Sequence, residues 1–203
     1  GEVLDGWNVT GIATRGARVQ VQRHSGTPIE ADTAVIAGGS WMGDLARQHG
    51  VKAVVQAGRG YSFTVHPEHA PSGPIYFPAQ RVACTPLGTA EEGLRVAGMM
   101  EFRDPDAPLD PRRIKAIVDA ATPMFTGVDW SQRHDEWVGS RPCTVDGLPL
   151  VGRTRSERVF VAGGHGMWGI ALGPLSGRLL ADQITGHRAG AGHELLQAFD
   201  PLR

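Results

Sequence analysis

Arg141 is the side chain in this sequence with the most specific chemical potential. It lies in Gly139-Ser140-Arg141-Pro142, shortly before the turn sequence Asp146-Gly147-Leu148-Pro149. A guanidinium presents a planar fork of N–H donors that matches the two oxygens of a carboxylate. We expect this arginine to lie in a turn, and the pattern alone leaves two roles open for it, a structural ion pair or the recognition of a carboxylate ligand. Asp146 and Gly147 are typical of residues that shape a turn.

The second candidate is the glycine-rich segment Gly163-Gly164-His165-Gly166. The apolar run before it, residues 159–162, predicts a buried strand that is too short to be a helix. The leucines after it follow a helical period, at positions 172, 175 and 179. A helix entered through glycines presents unpaired backbone N–H groups and a positive dipole end to an electron-rich ligand.

This helix is expected to stop at Gly186, which suits a helix C-terminus. Pro174 would break a helix interior, so we place it near the first turn, where a missing N–H costs little. The local plan is therefore strand, glycine loop and helix.

These motifs resemble the C-terminal end of the FAD-dependent D-amino acid oxidase superfamily, and its D-amino acid dehydrogenase branch most of all. The matching pattern is G-x-R-P-x-T-x-D-G-L-P-x-V-G at 139–152, G-H-G-x-x-G at 164–169 and L-x-A-D-x-I-x-G at 179–186. Residues 60–65 and 94–101 extend the resemblance over most of the chain.

The resemblance implies an FAD enzyme of amino acid catabolism that moves hydride from the Cα of a D-amino acid to the flavin. It implies that Arg141 forks onto the substrate carboxylate. The residues expected to contact FAD are Gly38, Gly39, Ser40, Trp41, Gly152, Gly164, His165, Gly166 and Gly169. Those expected to line the substrate pocket are Tyr61, Tyr76, Met167 and Trp168.

Two of these positions carry a further expectation. His165 is predicted mainly to fix its loop by hydrogen bonding. Met167 stands where relatives of the glycine oxidase type carry a second arginine, which favours bulkier, apolar substrates. The resemblance leaves open whether oxygen or a respiratory acceptor takes the electrons, and it allows a peripheral membrane or electron-transfer partner.

The predicted fold class is mixed α+β and α/β. Short alternating runs at 7–14, 18–23 and 29–32 predict a β-meander, and 34–37 predicts a fully buried strand that pairs in parallel. A helix is expected over 42–49. We predict that 1–54 and 139–203 belong to a Rossmann-like FAD-binding domain, with 55–138 an inserted substrate domain of mixed or antiparallel sheet.

The prolines between 67 and 111 punctuate short runs that suit antiparallel strands in the inserted domain, at 61–65, 75–77, 82–85 and 94–102. Asp110-Pro111 then predicts the start of a helix that extends to about Ala121.

The family's first strand, G-x-G-x-x-G loop and helix, which hold the FAD pyrophosphate, are predicted to be missing from this chain. Gly38-Gly39 has the wrong spacing to replace them. The chain is therefore expected to be the C-terminal part of a longer enzyme. The alternative is a non-catalytic fragment or subunit that becomes active only with a polypeptide supplying the missing segment.

Composition excludes other classes of function. The 203 residues carry a net charge of -1, which is not the electrostatic footprint of a nucleic-acid binder. Two cysteines in a chain of this size do not define a disulfide framework, so a reducing, cytoplasmic setting is expected, with a position beside the inner membrane as a variant.

Several residues have plainer interpretations. His66 and His69 have the wrong context for a metal site, because Pro67 prevents a helix and no third ligand is near in sequence. Tyr61 and Tyr76 could be half-buried strand residues. Glu101 could face the pocket or mark a solvated strand end.

Overall fold

The computed structural model describes residues 1–88, 93–187 and 192–203, apart from the side chain of His193. The strands in these residues are β1 (Val9–Arg15), β2 (Arg18–Arg23), β3 (Ile29–Ala31), β4 (Ala34–Ile36), β5 (Val55–Val65), β6 (Ile75–Phe77), β7 (Val82–Pro86), β8 (Leu94–Phe102), β9 (His134–Thr144), β10 (Leu150–Arg153) and β11 (Val159–Gly163). The α-helices are α1 (Met42–Gln48), α2 (Pro111–Ala121), α3 (Gly169–Thr185) and α4 (Gly192–Ala198). Within the described ranges, no helix has both the length and the apolar character needed to cross a bilayer.

The chain divides into two compact units. Unit 1 comprises Gly1–Gln56 and Arg141–Arg203, and unit 2 comprises Ala57–Ser140. The predicted division lies two residues earlier at each boundary. Both boundaries fall inside strands, β5 and β9, where the local sequence gives no punctuation.

Unit 1 contains two three-stranded sheets. In the first, β1, β2 and β3 pair antiparallel in chain order, which confirms the predicted β-meander. The second has the order β10-β11-β4, with β11 antiparallel to β10 and parallel to β4. The predicted parallel pairing of β4 is therefore confirmed.

The prediction that β4 is fully buried was wrong. Successive side chains of a strand point to opposite faces of the sheet. Ile36 joins a core cluster with Met42 and Val161, whereas Val35 is 43% exposed. The apolar run indicated a strand correctly, but it did not indicate whether one face or both faces of that strand are buried in the described part of the chain.

Helix α3 ends at Gly186, whose φ of +77° gives the left-handed cap expected from the sequence. Pro174 lies in the second turn, and the prediction of the first turn was wrong because the helix already begins at Gly169. Leu180 packs against Val151 and Phe160 in a small core cluster of unit 1.

Unit 2 is a five-stranded sheet in the order β6-β7-β8-β5-β9, with α2 packed on it. The β6/β7, β7/β8 and β8/β5 pairs are antiparallel, as predicted. Asp110 caps α2 by accepting a hydrogen bond from the Arg112 N–H at 3.0 Å, with Pro111 in the first turn. The buried face of α2, formed by Ile114, Ile117 and Ala121, completes the core of the unit. The predicted helix start and strands are confirmed.

Candidate active site

Two glycine loops lie side by side in unit 1. Strands β4 and β11 run parallel, with Ile36 opposite Val161, so their carboxyl ends meet at one edge of the sheet. The segment 37–41 follows β4, and 164–168 follows β11. A Cβ added to Gly163 would lie 2.5 Å from Met42 Sδ, which shows how closely the start of α1 approaches β11. Ligands of open α/β sheets bind at such an edge.

The glycines of these loops differ in what surrounds them. Gly39 and Gly166 have positive φ, +57° and +54°, and an added Cβ would meet nothing within 4 Å. Their backbones can therefore be approached closely by a ligand. Gly164 also has positive φ, +74°, but its Cβ would lie 2.7 Å from Thr144 Cγ2. The close packing of Thr144 is therefore a sufficient reason for a glycine at position 164.

The loop after β4 contains an unpartnered polar atom. Ser40 Oγ is buried and has no hydrogen-bond partner among the described residues. Gly38 and Trp41 line a cavity of about 540 Å³ between β1, β2, β4 and α1, with Trp7, Val35 and Leu45 among its other walls. A buried hydroxyl without a partner is costly, so this loop fits a ligand that hydrogen-bonds there.

The first turn of α3 carries no acidic side chain. A turn of 3-10 helix, Gly166–Trp168, leads into the helix, which has no side-chain cap and no acidic residue in its first turn. Its first N–H groups therefore retain the positive end of the dipole. Gly169 begins this helix, and an added Cβ there would meet only His165 Cβ, at 3.7 Å.

His165 fixes this loop to α3. One ring nitrogen, Nε2, lies 2.8 Å from the hydroxyl of Ser176, which is buried. A backbone bridge also joins His165 to Cys143 of β9. Burial lowers the pKa of His165 below its ordinary value, so the neutral ring is favoured. The prediction that His165 holds its loop by hydrogen bonding is confirmed.

The predicted pocket residues are distributed over both units. Met167 and Trp168 of unit 1 are 65% and 64% exposed, directly before α3. In unit 2, Tyr76 is 61% exposed. Tyr61 belongs instead to the core of unit 2, at 1% exposure, and its hydroxyl donates to Glu101 at 2.5 Å. That placement corrects the expectation for Tyr61, because a core side chain with its hydroxyl engaged does not line an open pocket.

Arg141 lies on strand β9, and the predicted turn around it was wrong. Glycine, serine and proline beside it suggested a break, but Ser140 and Pro142 both continue the strand. The Arg141 side chain is half-buried, and no hydrogen bond or ion pair joins it to any residue in the described ranges. An ion pair within this part of the chain is therefore not what holds its guanidinium.

Gly152 has a packing role within unit 1, and its FAD contact stays a prediction. Its φ is +145°, and an added Cβ would lie 3.3 Å from Pro201 Cδ and 3.5 Å from Gln183 Oε1. The approach of these two side chains explains the glycine.

Two charge clusters could not be found from local sequence. Asp146 shapes its turn, as predicted, by accepting from the Leu148 N–H, and it also binds Arg203 through both carboxylate oxygens, at 2.8 and 3.1 Å. In unit 2, of the two interpretations left open for Glu101, the solvated strand end is excluded, because its side chain is 9% exposed and lies 3.6 Å from Arg59 Nη1. Both pairs join residues far apart in sequence.

The described ranges contain no group of three or more His, Cys, Asp or Glu side chains arranged to hold a metal ion. His66 stacks on the ring of His134, with 5.1 Å between centroids.

The glycines after β11 have the spacing of a motif that was expected to be missing from the chain. Gly164, Gly166 and Gly169 follow G-x-G-x-x-G between a strand and a helix, so the prediction that such a segment is missing was too broad. The dinucleotide fingerprint also needs a parallel strand after the helix. Among the described residues, only α4 follows α3.

The two parallel strands, their glycine loops and the inserted sheet define a flavin-dependent oxidoreductase fold. The family DAO, described as FAD dependent oxidoreductase, matches residues 1–183, and the chain belongs to this family. The predicted family and its dependence on FAD are confirmed.

The curated relatives show which enzymes of this family the chain resembles. The chain is 32% identical over 193 residues to a D-amino acid dehydrogenase of Granulibacter bethesdensis, covering 94% of this chain and 46% of that protein. It is 33% identical over 190 residues to a D-amino acid dehydrogenase of Allorhizobium ampelinum, covering 92% and 42%. The chain thus spans less than half the length of these relatives.

Solved structures share the fold. A glycine oxidase from Bacillus cereus superposes with a TM-score of 0.76 at 25% identity, over 94% of this chain and 52% of that one. An L-proline dehydrogenase from P. horikoshii gives the same TM-score at 17% identity, over 97% and 53%. The similarity to the L-proline dehydrogenase concerns the fold alone.

Proposed function

We propose that this chain is the C-terminal part of an FAD-dependent enzyme that oxidises a D-amino acid. The observation that carries the proposal is the pair of glycine loops at the carboxyl ends of β4 and β11, in a chain that belongs to the DAO family. FAD, when bound, supplies the acceptor for the hydride that leaves the substrate Cα.

The residues that fit FAD are those with open backbone or an unsatisfied group. They are Gly39 and Ser40 after β4, and Gly166 with the first N–H groups of α3 after β11. Backbone N–H donors and a helix N-terminus suit an electron-rich ligand whose negative charge increases during reaction.

Arg141 is proposed to bind the substrate carboxylate. Its guanidinium has no acid partner among the described residues, and a carboxylate would receive two parallel, charge-assisted hydrogen bonds from it. That fork would fix the orientation of the substrate, which is the main contribution expected from the protein in such a reaction. The exposed apolar Met167 beside the α3 start supports a preference for apolar substrate side chains. Tyr76 as a pocket residue stays a prediction.

The rival proposal is a chain with no activity of its own that needs another polypeptide. It is favoured by one observation, that the chain covers only 46% and 42% of two D-amino acid dehydrogenases. The two proposals differ in what the isolated chain can bind.

Titration of the purified chain with FAD tests the cofactor assignment. We expect weak binding to the chain alone and strong binding after adding the N-terminal half of the Granulibacter relative. ADP and riboflavin serve as competitors, because ADP carries the pyrophosphate and riboflavin carries the ring system. Sub-micromolar binding of FAD to the chain alone, displaced by ADP, would assign the pyrophosphate to the Gly164–Gly169 loop and refute our division of roles.

Turnover by the reconstituted enzyme tests the role of Arg141. Removing one side of a desolvated ion pair costs about 3–5 kcal/mol, or roughly two to four orders of magnitude in kcat/KM. Arg141→Ala should show that loss on D-amino acids, and Arg141→Lys should recover only part of it. Arg153→Ala, which changes another arginine of unit 1, is the matched control. An unchanged kcat/KM in Arg141→Ala would end the carboxylate assignment, and faster turnover of L enantiomers would end the D assignment.

A further inference from the structure

We propose that Arg95 forms a second binding site, for a small monocarboxylate, within unit 2. The site lies on the face of the sheet opposite the core. Leu94 and Val96, on either side of Arg95 in β8, are both fully buried in the core. The alternation of a strand therefore places Arg95 on the other face. This site does not depend on the proposed catalytic function.

The guanidinium of Arg95 is held in a fixed orientation by neutral oxygen acceptors. Nη1 donates to Thr64 Oγ1 and to the Asp135 carbonyl, both at 3.0 Å, and Nη2 donates to Ser62 Oγ at 2.8 Å. The acceptors on β5 are themselves rigid, because Ser62 and Thr64 are 6% and 1% exposed. None of these oxygens carries a charge, so the positive charge of Arg95 is oriented without being neutralised.

The donors that remain on Arg95 form one edge. An arginine has five N–H groups, and three of them are used in the bonds to Ser62, Thr64 and Asp135. Those left are the Nε–H and one Nη2–H, on two nitrogens that share one edge of the guanidinium. This edge is a fork that can bind both oxygens of a carboxylate.

Arg59, on the neighbouring strand, shows the contrasting case. It is buried, pairs with Glu101 at 3.6 Å, and donates to the carbonyls of Ala107 and Pro108. The charge of Arg59 is therefore balanced inside unit 2 by Glu101. Arg95 is only half-buried and forms no ion pair in the part of the chain that the structure describes. Of these two arginines, Arg95 is therefore the one arranged for an external partner.

The surroundings of Arg95 indicate which anion fits. A shallow cavity of about 570 Å³ is lined by Arg95, Asp135, Glu136 and Trp137. Trp137 is 58% exposed and offers an apolar wall. Glu136 is paired with Arg133 at 2.8 Å, and the Asp135 carboxylate is 71% exposed. These acids repel a dianion more strongly than a monoanion, so a monocarboxylate with a short apolar chain fits better than phosphate.

The backbone conformation of Asp135 supports a preformed binding site. Asp135 has a φ of +51°, a conformation that is uncommon outside glycine. The Asp135 carbonyl is one of the three oxygens that orient Arg95. Such conformations persist where surrounding contacts hold them, and they concentrate at binding sites.

Nuclear magnetic resonance titration of the ¹⁵N-labelled chain with butyrate tests the site. We expect saturable shifts of the Arg95 Nε–H and the Trp137 indole N–H signals, assigned through Arg95→Lys and Trp137→Phe. Butyramide, which is neutral, and inorganic phosphate should shift them much less. Arg95→Gln should weaken butyrate binding by about tenfold or more, the usual effect of losing hydrogen bonds to a charged group.

Matched variants separate this site from other arginines. Arg112→Gln removes one positive charge from the same unit at an exposed helix start, and it should leave butyrate binding unchanged. If Arg141→Gln abolishes binding and Arg95→Gln does not, the site is wrongly placed, and the carboxylate role of Arg141 gains support instead.

Arg95→Lys keeps the charge and guards against a folding defect in Arg95→Gln. It should retain the fold and bind butyrate more weakly than the parent chain, since an ammonium lacks the fork. Absence of any saturable shift at Arg95 or Trp137 in the parent chain would overturn the proposal. So would equal shifts with butyramide, because they would show that no charge is recognised.

Discussion

Replacing Glu101 by Gln should be among the most destabilising isosteric changes in unit 2. The Glu101 carboxylate accepts from the Tyr61 hydroxyl at 2.5 Å and lies 3.6 Å from Arg59 Nη1 and 3.3 Å from Arg113 Nε. The side chains of Arg59 and Glu101 are only 1% and 9% exposed, so water screens their interaction little. Glutamine preserves the shape but leaves the buried charge of Arg59 without its counterion.

The expected magnitude follows from that burial. Removing one partner of a buried ion pair costs about 3–5 kcal/mol. Arg59 keeps its hydrogen bonds to the carbonyls of Ala107 and Pro108, at 2.6 and 3.3 Å, so we expect the lower end, about 3 kcal/mol. Tyr61→Phe should cost about 1.5–3 kcal/mol, because it removes one hydrogen bond to a charged group.

Urea unfolding, followed by circular dichroism and tryptophan fluorescence, measures the loss. Asp119→Asn is the control, because it breaks the Lys115–Asp119 pair of α2, whose side chains are 74% and 60% exposed. Such a surface pair contributes at most about 1 kcal/mol. If Glu101→Gln costs no more than this control, the charge of Arg59 is compensated elsewhere and our account of the cluster is wrong.

Two further predictions concern titratable groups. The Arg203 guanidinium holds the pKa of Asp146 well below its usual range, so this carboxylate stabilises the fold above its unfolded-state pKa of about 3.9, and the contribution is lost as pH falls further. Arg203→Gln should return the Asp146 pKa toward its ordinary value, as seen by titrating the side-chain carboxyl signal; an unchanged pKa would refute the pairing. Burial raises the pKa of the Cys84 thiol to about 11, so a thiol reagent at pH 8 should label Cys143 in the folded chain and Cys84 only on unfolding. Equal labelling rates for the two cysteines would contradict the burial.

Features set by neighbouring residues were predictable from sequence. The Asp110-Pro111 start of α2 depends on contacts within one turn, and its cap was predicted and found. The same is true of the left-handed Gly186 at the end of α3. A hydrogen bond between neighbours determines the first, and the backbone freedom of glycine permits the second, so the local sequence contains the necessary information.

Features set by distant residues were not predictable in the same way. Arg59 and Glu101 meet because β5 and β8 pair, and the register shifts between Arg59 and Tyr61. Nothing in the sequence near Glu101 indicates an arginine beneath it. Arg141 was misplaced in a turn for a related reason, since pairing within a sheet overrode the local preferences of its neighbours.

The candidate site contains features of both kinds, those set by neighbouring residues and those set by distant residues. The two glycine loops were recognised from their own residues, because a strand ending in glycines is a local pattern. Their position side by side depends on the pairing of β4 with β11. The unpartnered hydroxyl of Ser40 appears only when the surroundings of the loop are known.

The pairing of β4 with β11 also has a consequence for the order in which the chain folds. Ala34 is opposite Val159, and 159 − 34 gives a separation of 125 positions in the sequence. Unit 2 is one uninterrupted segment, Ala57–Ser140, so all of it is synthesised before β11. Long loop closure is slow, whereas nearby contacts form early. During synthesis, unit 2 can therefore acquire its structure while β4 waits for β11, and the edge that brings the two glycine loops together is among the last parts of the chain to form.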